Sequence, residues 1–217
     1  MNVSVSGKEI KVFIEGGGFG YERMFQKRGF IITNKFHEAD LICFTGGEDV
    51  DPSLYNQAKH PRTNYNSQRD ELCMEMYNYA IINNIPMCGI CRGSQFLCVA
   101  NGGELWQHVD NHAVFGTHKA TTDTGEVIDV TSTHHQMMRP NGVNGADFKL
   151  LLTAKLSVKK HRMVNGEVVV ALASAPDVEC VLWEQTRSLG YQPHPEFQGA
   201  PKECTDFFFD KLNLILE

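Results

Sequence analysis

The chain lacks any apolar run long enough to cross a bilayer. Its longest aliphatic stretch, Val168 to Ala173, falls far short of the roughly 20 residues a spanning helix needs. Met1 to Gly7 is polar and has no apolar core of the signal-peptide kind. Positive charge is not in excess: 20 Lys and Arg stand against 26 Asp and Glu, a formal net charge of −6. Nothing global therefore points to nucleic acid or an anionic membrane as partner. No repeat, low-complexity tract or Pro/Ser-rich linker divides the sequence, so a single domain over residues 1–217 is expected. The seven cysteines are odd in number and scattered through core-type segments, unlike the framework of a secreted disulfide-rich protein. A soluble, cytoplasmic protein with reduced thiols is expected. With 42% hydrophobic and 21% charged residues, 217 residues can bury a sizeable core without staples.

Short apolar runs alternate with helical patterns in the first half. Glu9 to Glu15, Phe30 to Thr33, Leu41 to Thr45 and Ile85 to Ile90 read as strands, two of them running into glycine. Tyr21 to Lys27 reads as a short helix. Ser67 with Asp70 predicts a helix start, with Leu72, Met76, Tyr79 and Ala80 as its apolar face. A helix follows Cys91. This alternation predicts an α/β fold with a mostly parallel sheet covered on both faces. The second half is β-rich: Val127 to Val130, Lys149 to Thr153, Val158 to Ala173 and Val181 to Leu189. Asn165-Gly166 predicts a hairpin turn. Thr205 to Leu216 reads as a closing amphipathic helix.

The sharpest chemical signal is Gly89-Ile90-Cys91-Arg92-Gly93, between a strand and a helix. This is the nucleophile-elbow pattern with a thiol as nucleophile. The glycines permit a strained turn that presents the sulfur, the helix start favours the thiolate, and the Arg92 N–H faces a developing oxyanion. A buried core cysteine beside two loop glycines is the bland alternative. Cys88 and Cys91 also form a C-x-x-C, so a redox pair is a minority reading. His194-Pro195-Glu196 supplies a base and an orienting carboxylate, although such a tripeptide alone is usually a surface loop. Thr45-Gly46-Gly47 ends a strand and can bring a backbone N–H to a substrate oxygen.

Ser132-Thr133-His134-His135-Gln136 could hold a carboxylate or a metal. His108, His112 and His118 lie nearby, with His108 and His112 spaced as on one helix face, so a zinc site is a second minority reading. Gly16 to Gly20 lacks the Lys-Ser/Thr of a phosphate loop and reads as a turn. Lys155, Lys159, Lys160 and Arg162 read as the solvated face of a hairpin, with a partner patch as the lesser alternative.

Together these segments resemble the class I glutamine amidotransferases, and within them the γ-glutamyl hydrolase and γ-glutamyl-γ-aminobutyrate hydrolase branch. The resemblance rests on Gly46 to Pro52 with Tyr55, Gly89 to Gln95, Ser132 with His134 to Gln136, and Gln192 with His194 to Glu196. It implies a flavodoxin-like three-layer sandwich with added antiparallel strands. It implies Cys91 as nucleophile, His194 as base and acid, Glu196 as orienter, and the backbone N–H groups of Gly47 and Arg92 as oxyanion hole. Gln95, Ser132, Thr133, His134 and His135 would bind the glutamyl group, with no metal or cofactor. The expected activity is cleavage of a γ-glutamyl amide through a thioester. The alternative is a glutaminase subunit serving a separate synthetase. A homo-oligomer is left open. Arg92 and Ser94 differ from the Leu and His of synthetase-serving relatives. Pro193 and Thr131 depart from the Trp and Asn common in the branch, at positions that shape the substrate pocket.

Overall fold

The structure, a computed structural model, describes residues 9–141 and 147–217. The polar start read at Met1 to Gly7 lies outside the described residues.

The first half builds a parallel sheet. Its strands are β1 (Lys11–Ile14), β2 (Ile31–Thr33), β3 (Leu41–Phe44) and β4 (Met87–Ile90). The helices between and after them are α1 (Phe19–Gln26), α2 (Ser67–Ile82) and α3 (Arg92–Ala100). The second half adds β5 (Glu104–Trp106), β6 (His108–Val109), β7 (Ala113–Thr122), β8 (Val127–Thr133), β9 (Met137–Arg139), β10 (Lys149–Ala154), β11 (Lys159–Val164), β12 (Glu167–Leu172), β13 (Asp177–Trp183) and β14 (Ser188–Tyr191). Helix α4 (Lys202–Leu216) closes the chain.

Nine strands form one sheet in the order β2-β1-β3-β4-β14-β13-β10-β7-β8. From β2 to β14 all neighbours are parallel, and from β14 to β8 all are antiparallel. The expected α/β architecture, a mostly parallel sheet with added antiparallel strands, is therefore what forms. Asn165-Gly166 closes the β11–β12 hairpin, with both residues at positive φ as that turn requires.

Side chains alternate across the sheet, so each parallel strand feeds two cores. Val12, Ile14, Cys43, Cys88 and Ile90 face α1 and α4, where Phe25 meets Phe208 and Phe209 edge-on at centroid distances of 6.2 and 5.6 Å. Ile42, Phe44 and Met87 face the other way, against Cys73, Tyr77 and Ala80 of α2 and Phe96 of α3. Each fully buried aromatic or aliphatic side chain contributes roughly 2 kcal/mol. This gives three layers.

Two expectations are corrected. The buried face of α2 is Asp70, Cys73, Tyr77 and Ala80, while Leu72 is exposed. The helix is rotated because Asp70 and Cys73 both bond the buried Arg92 of α3, and Asn66 rather than Ser67 caps it by accepting from the Arg69 N–H. Lys160 is not solvated: it is buried, 2.8 Å from Asp177, and donates to the carbonyls of Ala175 and Pro176. Among the described residues, no helix is long and apolar enough to cross a membrane.

Candidate active site

Three of the motifs lie at the carboxyl ends of adjacent parallel strands. Phe44 of β3 pairs with Gly89 of β4, and Ile90 pairs with Tyr191 of β14. Residues just beyond these pairs, Thr45-Gly46-Gly47, Cys91 and Gln192 to His194, therefore emerge side by side. The crevice outside strand carboxyl ends is where open α/β sheets place their ligands.

Cys91 sits on a strained turn. Its φ of 52° and ψ of −109° lie where L-residues are seldom found, at a cost of about 1–3 kcal/mol. Its N–H donates to the Tyr191 carbonyl at 2.9 Å, and its carbonyl accepts from Ser94 and Gln95 in the first turn of α3. The flanking glycines are obligatory by contact. A Cβ on Gly89 would lie 2.2 Å from the Gly93 carbonyl oxygen, and one on Gly93 would lie 2.1 Å from that of Phe44. The Arg92 N–H, first in the helix, has no intrahelical acceptor.

His194 reaches this turn from β14. A Cβ built on Gly46 would lie 2.9 Å from His194 Cε1 and 3.7 Å from Cys91 Cβ, so the thiol and the imidazole flank the same glycine. On its other side His194 Nδ1 lies 2.6 Å from Glu196 Oε1. Burial alone would lower the imidazole, but its hydrogen bond to the Cys91 side chain and the Glu196 carboxylate outweigh it and hold its pKa at about 10. Phe197 stacks on the ring at 4.2 Å. A thiol, an imidazole and a carboxylate in this order are equipped for nucleophilic attack with proton transfer.

Backbone donors complete the turn. The Gly46 N–H is committed to the Tyr21 hydroxyl, to which it donates at 3.0 Å. Gly47 has φ of 138°, and a Cβ there would lie 2.3 Å from Arg69 Nη1. Arg69 donates to both Glu15 oxygens, at 2.9 and 2.7 Å, and so braces the loop from below.

A cavity of about 220 Å³ opens beside Cys91. Gly47, Arg92, Gln95, Thr133, His134 and His135 are among the residues that line it. Ser132 does not: it is fully buried and donates to the His112 carbonyl at 2.6 Å. His135 faces Asp49 at 3.2 Å. His108 and His112 share no helix face; His108 lies on β6 and His112 is buried against Asp177. A larger cleft of about 540 Å³ lies behind Glu196, lined by α1 residues, but does not reach Cys91.

Several residues in the site carried no sequence signal. Arg62 lines the cavity and contacts His108 at 3.1 Å. Its loop is held by Gln107, whose amide oxygen accepts from the His60 N–H and the Thr63 hydroxyl. Thr131 accepts from the His194 N–H at 2.6 Å, so this departure from the family pattern fixes the histidine's backbone. All seven cysteines are buried and free, and Cys88 lies within β4.

The sequence and fold match known proteins. The family model described as peptidase C26 matches residues 24–196, and the chain belongs to this class I glutamine amidotransferase-like family. Protein NtpR of Enterococcus hirae is 28% identical over 181 residues, 80% of this chain and 73% of that protein. The gamma-glutamyl-gamma-aminobutyrate hydrolase of Escherichia coli O157:H7 is 27% identical over 175 residues, 75% of this chain and 65% of the relative. A glutamine amidotransferase from Thermotoga maritima shares the fold, with a TM-score of 0.60 at 14% identity over 95% of this chain and 85% of that one. The protein is thus a cysteine-dependent hydrolase of the glutamine amidotransferase type.

Proposed function

We propose that the protein cleaves γ-glutamyl amides through a γ-glutamyl thioester on Cys91. One observation carries this reading: Cys91 and His194 flank Gly46, and Glu196 lies 2.6 Å behind the imidazole. The Cys91 thiolate attacks the γ-carbonyl, and the negative oxygen is met by the N–H groups of Gly47 and Arg92. His194 is raised to about 10 and so carries a proton at neutral pH. It gives that proton to the leaving amine, and the thioester remains. Neutral His194 then takes a proton from water, which attacks the thioester and releases glutamate.

The glutamyl head group occupies the cavity beside Cys91. Arg62 supplies a cation for its carboxylate, while Glu48 and Asp49 supply anions for its ammonium. Gln95 is anchored by the Gln136 carbonyl and Gln192, which gives that wall a fixed shape. The name of the Escherichia coli relative supports a small γ-glutamyl amine as substrate.

The test is glutamate release from glutamine and a panel of γ-glutamyl amines, with Cys91→Ala as control. Release lost in the variant supports the reading, and the best amine names the leaving group. No release from any amide, with activity appearing only beside a synthetase, would replace it by the glutaminase-subunit alternative.

A further inference from the structure

Next to the pocket wall lies a second cluster that the proposed hydrolysis does not use. His112 precedes β7, His118 lies on it, His134 follows β8, and Glu179 lies on β13. All four are buried. Three imidazole nitrogens face one carboxylate. His118 Nε2 is 3.1 Å and His112 Nδ1 3.5 Å from Glu179 Oε1, and His134 Nε2 is 3.9 Å from Oε2.

The opposite nitrogens of two rings are committed. His112 Nε2 lies 3.0 Å from Asp177 Oδ2, and a carboxylate only accepts, so this nitrogen donates. His134 Nδ1 lies 2.9 Å from the Gln136 carbonyl and donates to it. In the neutral rings the lone pairs of His112 Nδ1 and His134 Nε2 therefore point at the Glu179 carboxylate. Both nitrogens, and Glu179 Oε2, have no hydrogen-bond partner. Electron-rich atoms converging in a dry interior repel one another unless a cation lies between them.

We propose that His112, His118 and Glu179, with His134 as fourth donor, bind a transition-metal dication, for which the donor set selects zinc. Donor atoms of the first three lie within 4.8 Å of one another. Tetrahedral zinc with bonds of about 2.0–2.1 Å sets its ligand atoms about 3.4 Å apart. The distances of 3.1 and 3.5 Å to Glu179 Oε1 match that spacing, while His134 Nε2, 3.9 Å from the other oxygen Oε2, lies outside that group and completes the tetrahedron once its ring turns inward. Asp177 behind His112 and the Gln136 carbonyl behind His134 are the outer partners that orient metal-binding imidazoles. Asp177 is itself fixed by Lys160 and the N–H groups of Leu156 and Ser157. With four protein donors and no open position, the site is structural. It ties β7, β13 and the end of β8 together and holds His134 in the pocket wall.

The test is zinc content and binding of the intact protein, before and after dialysis against a chelator. The expected result is one zinc per chain, a melting temperature that falls on removal, and loss of the metal in His118→Asn and Glu179→Gln. His161→Ala, in the separate histidine group near Arg62, should keep it. Because the buried variants can fail to fold, cobalt added to the stripped wild type gives a second readout. The visible bands of a tetrahedral nitrogen- and oxygen-ligated ion should appear without a sulfur charge-transfer band, and zinc should abolish them. No bound zinc and no cobalt spectrum would overturn the proposal. A sulfur-to-cobalt band, or loss of metal in His161→Ala but not in His118→Asn, would also overturn it by placing the ion elsewhere.

Discussion

The parallel and antiparallel halves of the sheet make their sites in different ways. In the parallel half, backbone shape does the work. Glycine at 46, 47, 89 and 93 lets backbone, the His194 ring and the Arg69 guanidinium approach where a Cβ would crowd them. In the antiparallel half, buried side chains do it: His112, His118, His134, Asp177 and Glu179 converge inside the sheet's far end, with Lys160 of β11 packed against Asp177 from outside that sheet. A site made of backbone is intolerant of added atoms. A site made of buried charge is intolerant of lost partners. Each half therefore has its own characteristic way to fail.

The largest effect is expected at the reacting atom. Cys91→Ala should retain the fold and lose at least about 10³-fold in amide hydrolysis, read from initial rates beside a thermal melt. Next is the elbow's geometry. Gly93→Ala should destabilise by more than about 4 kcal/mol in urea unfolding, because its Cβ meets backbone that cannot yield. Gly166→Ala, at the β11–β12 turn with positive φ but open space, should cost only about 1 kcal/mol. Equal costs at the two positions would break the contrast.

Beside the antiparallel half, Lys160→Ala on β11 should cost about 3 kcal/mol, since it takes the cation from the buried Asp177 carboxylate. Lys119→Ala removes only an exposed pair with Asp129 and should stay within about 0.5 kcal/mol.

Glu196→Gln should reduce kcat about 10²-fold and move the basic limb of the pH–rate profile down from about pH 10, since it removes a carboxylate that holds His194 protonated. The sign on stability follows the same group. His194 is raised from 6.5 to about 10, so its protonation favours the folded state. That contribution is complete below about pH 6.5 and is lost as the pH rises through about 10, a fall that urea titrations across this range should show and that Glu196→Gln should flatten.

The two halves also differ in what the sequence revealed. The parallel strands are short apolar runs, two of them, β1 and β3, soon stopped by glycine, and both the run and the punctuation are local signals. Cys91, His194 and Glu196 stand out as candidates because elbow and tripeptide are compact patterns. Strand β7, with polar residues and a glycine along its length, shows no such period, and its His118 is buried only because Glu179, far along the chain, faces it. Lys160 looked like a surface charge for the same reason. Arg62, Arg69 and Gln107 act through partners dozens of residues away, which no local spacing encodes. The rotated face of α2 follows from the Asp70–Arg92 pair, a tertiary contact that overrides the helix's own apolar count.

The central claim is covalent chemistry at Cys91, and trapping tests it most directly. Wild type mixed with a slowly turned-over γ-glutamyl ester and quenched in acid should yield, by peptide mass spectrometry, one glutamyl increment on the peptide bearing Cys91, removable by hydroxylamine. An increment on another residue, or unlabelled Cys91 in an enzyme still turning over that ester, would contradict the account.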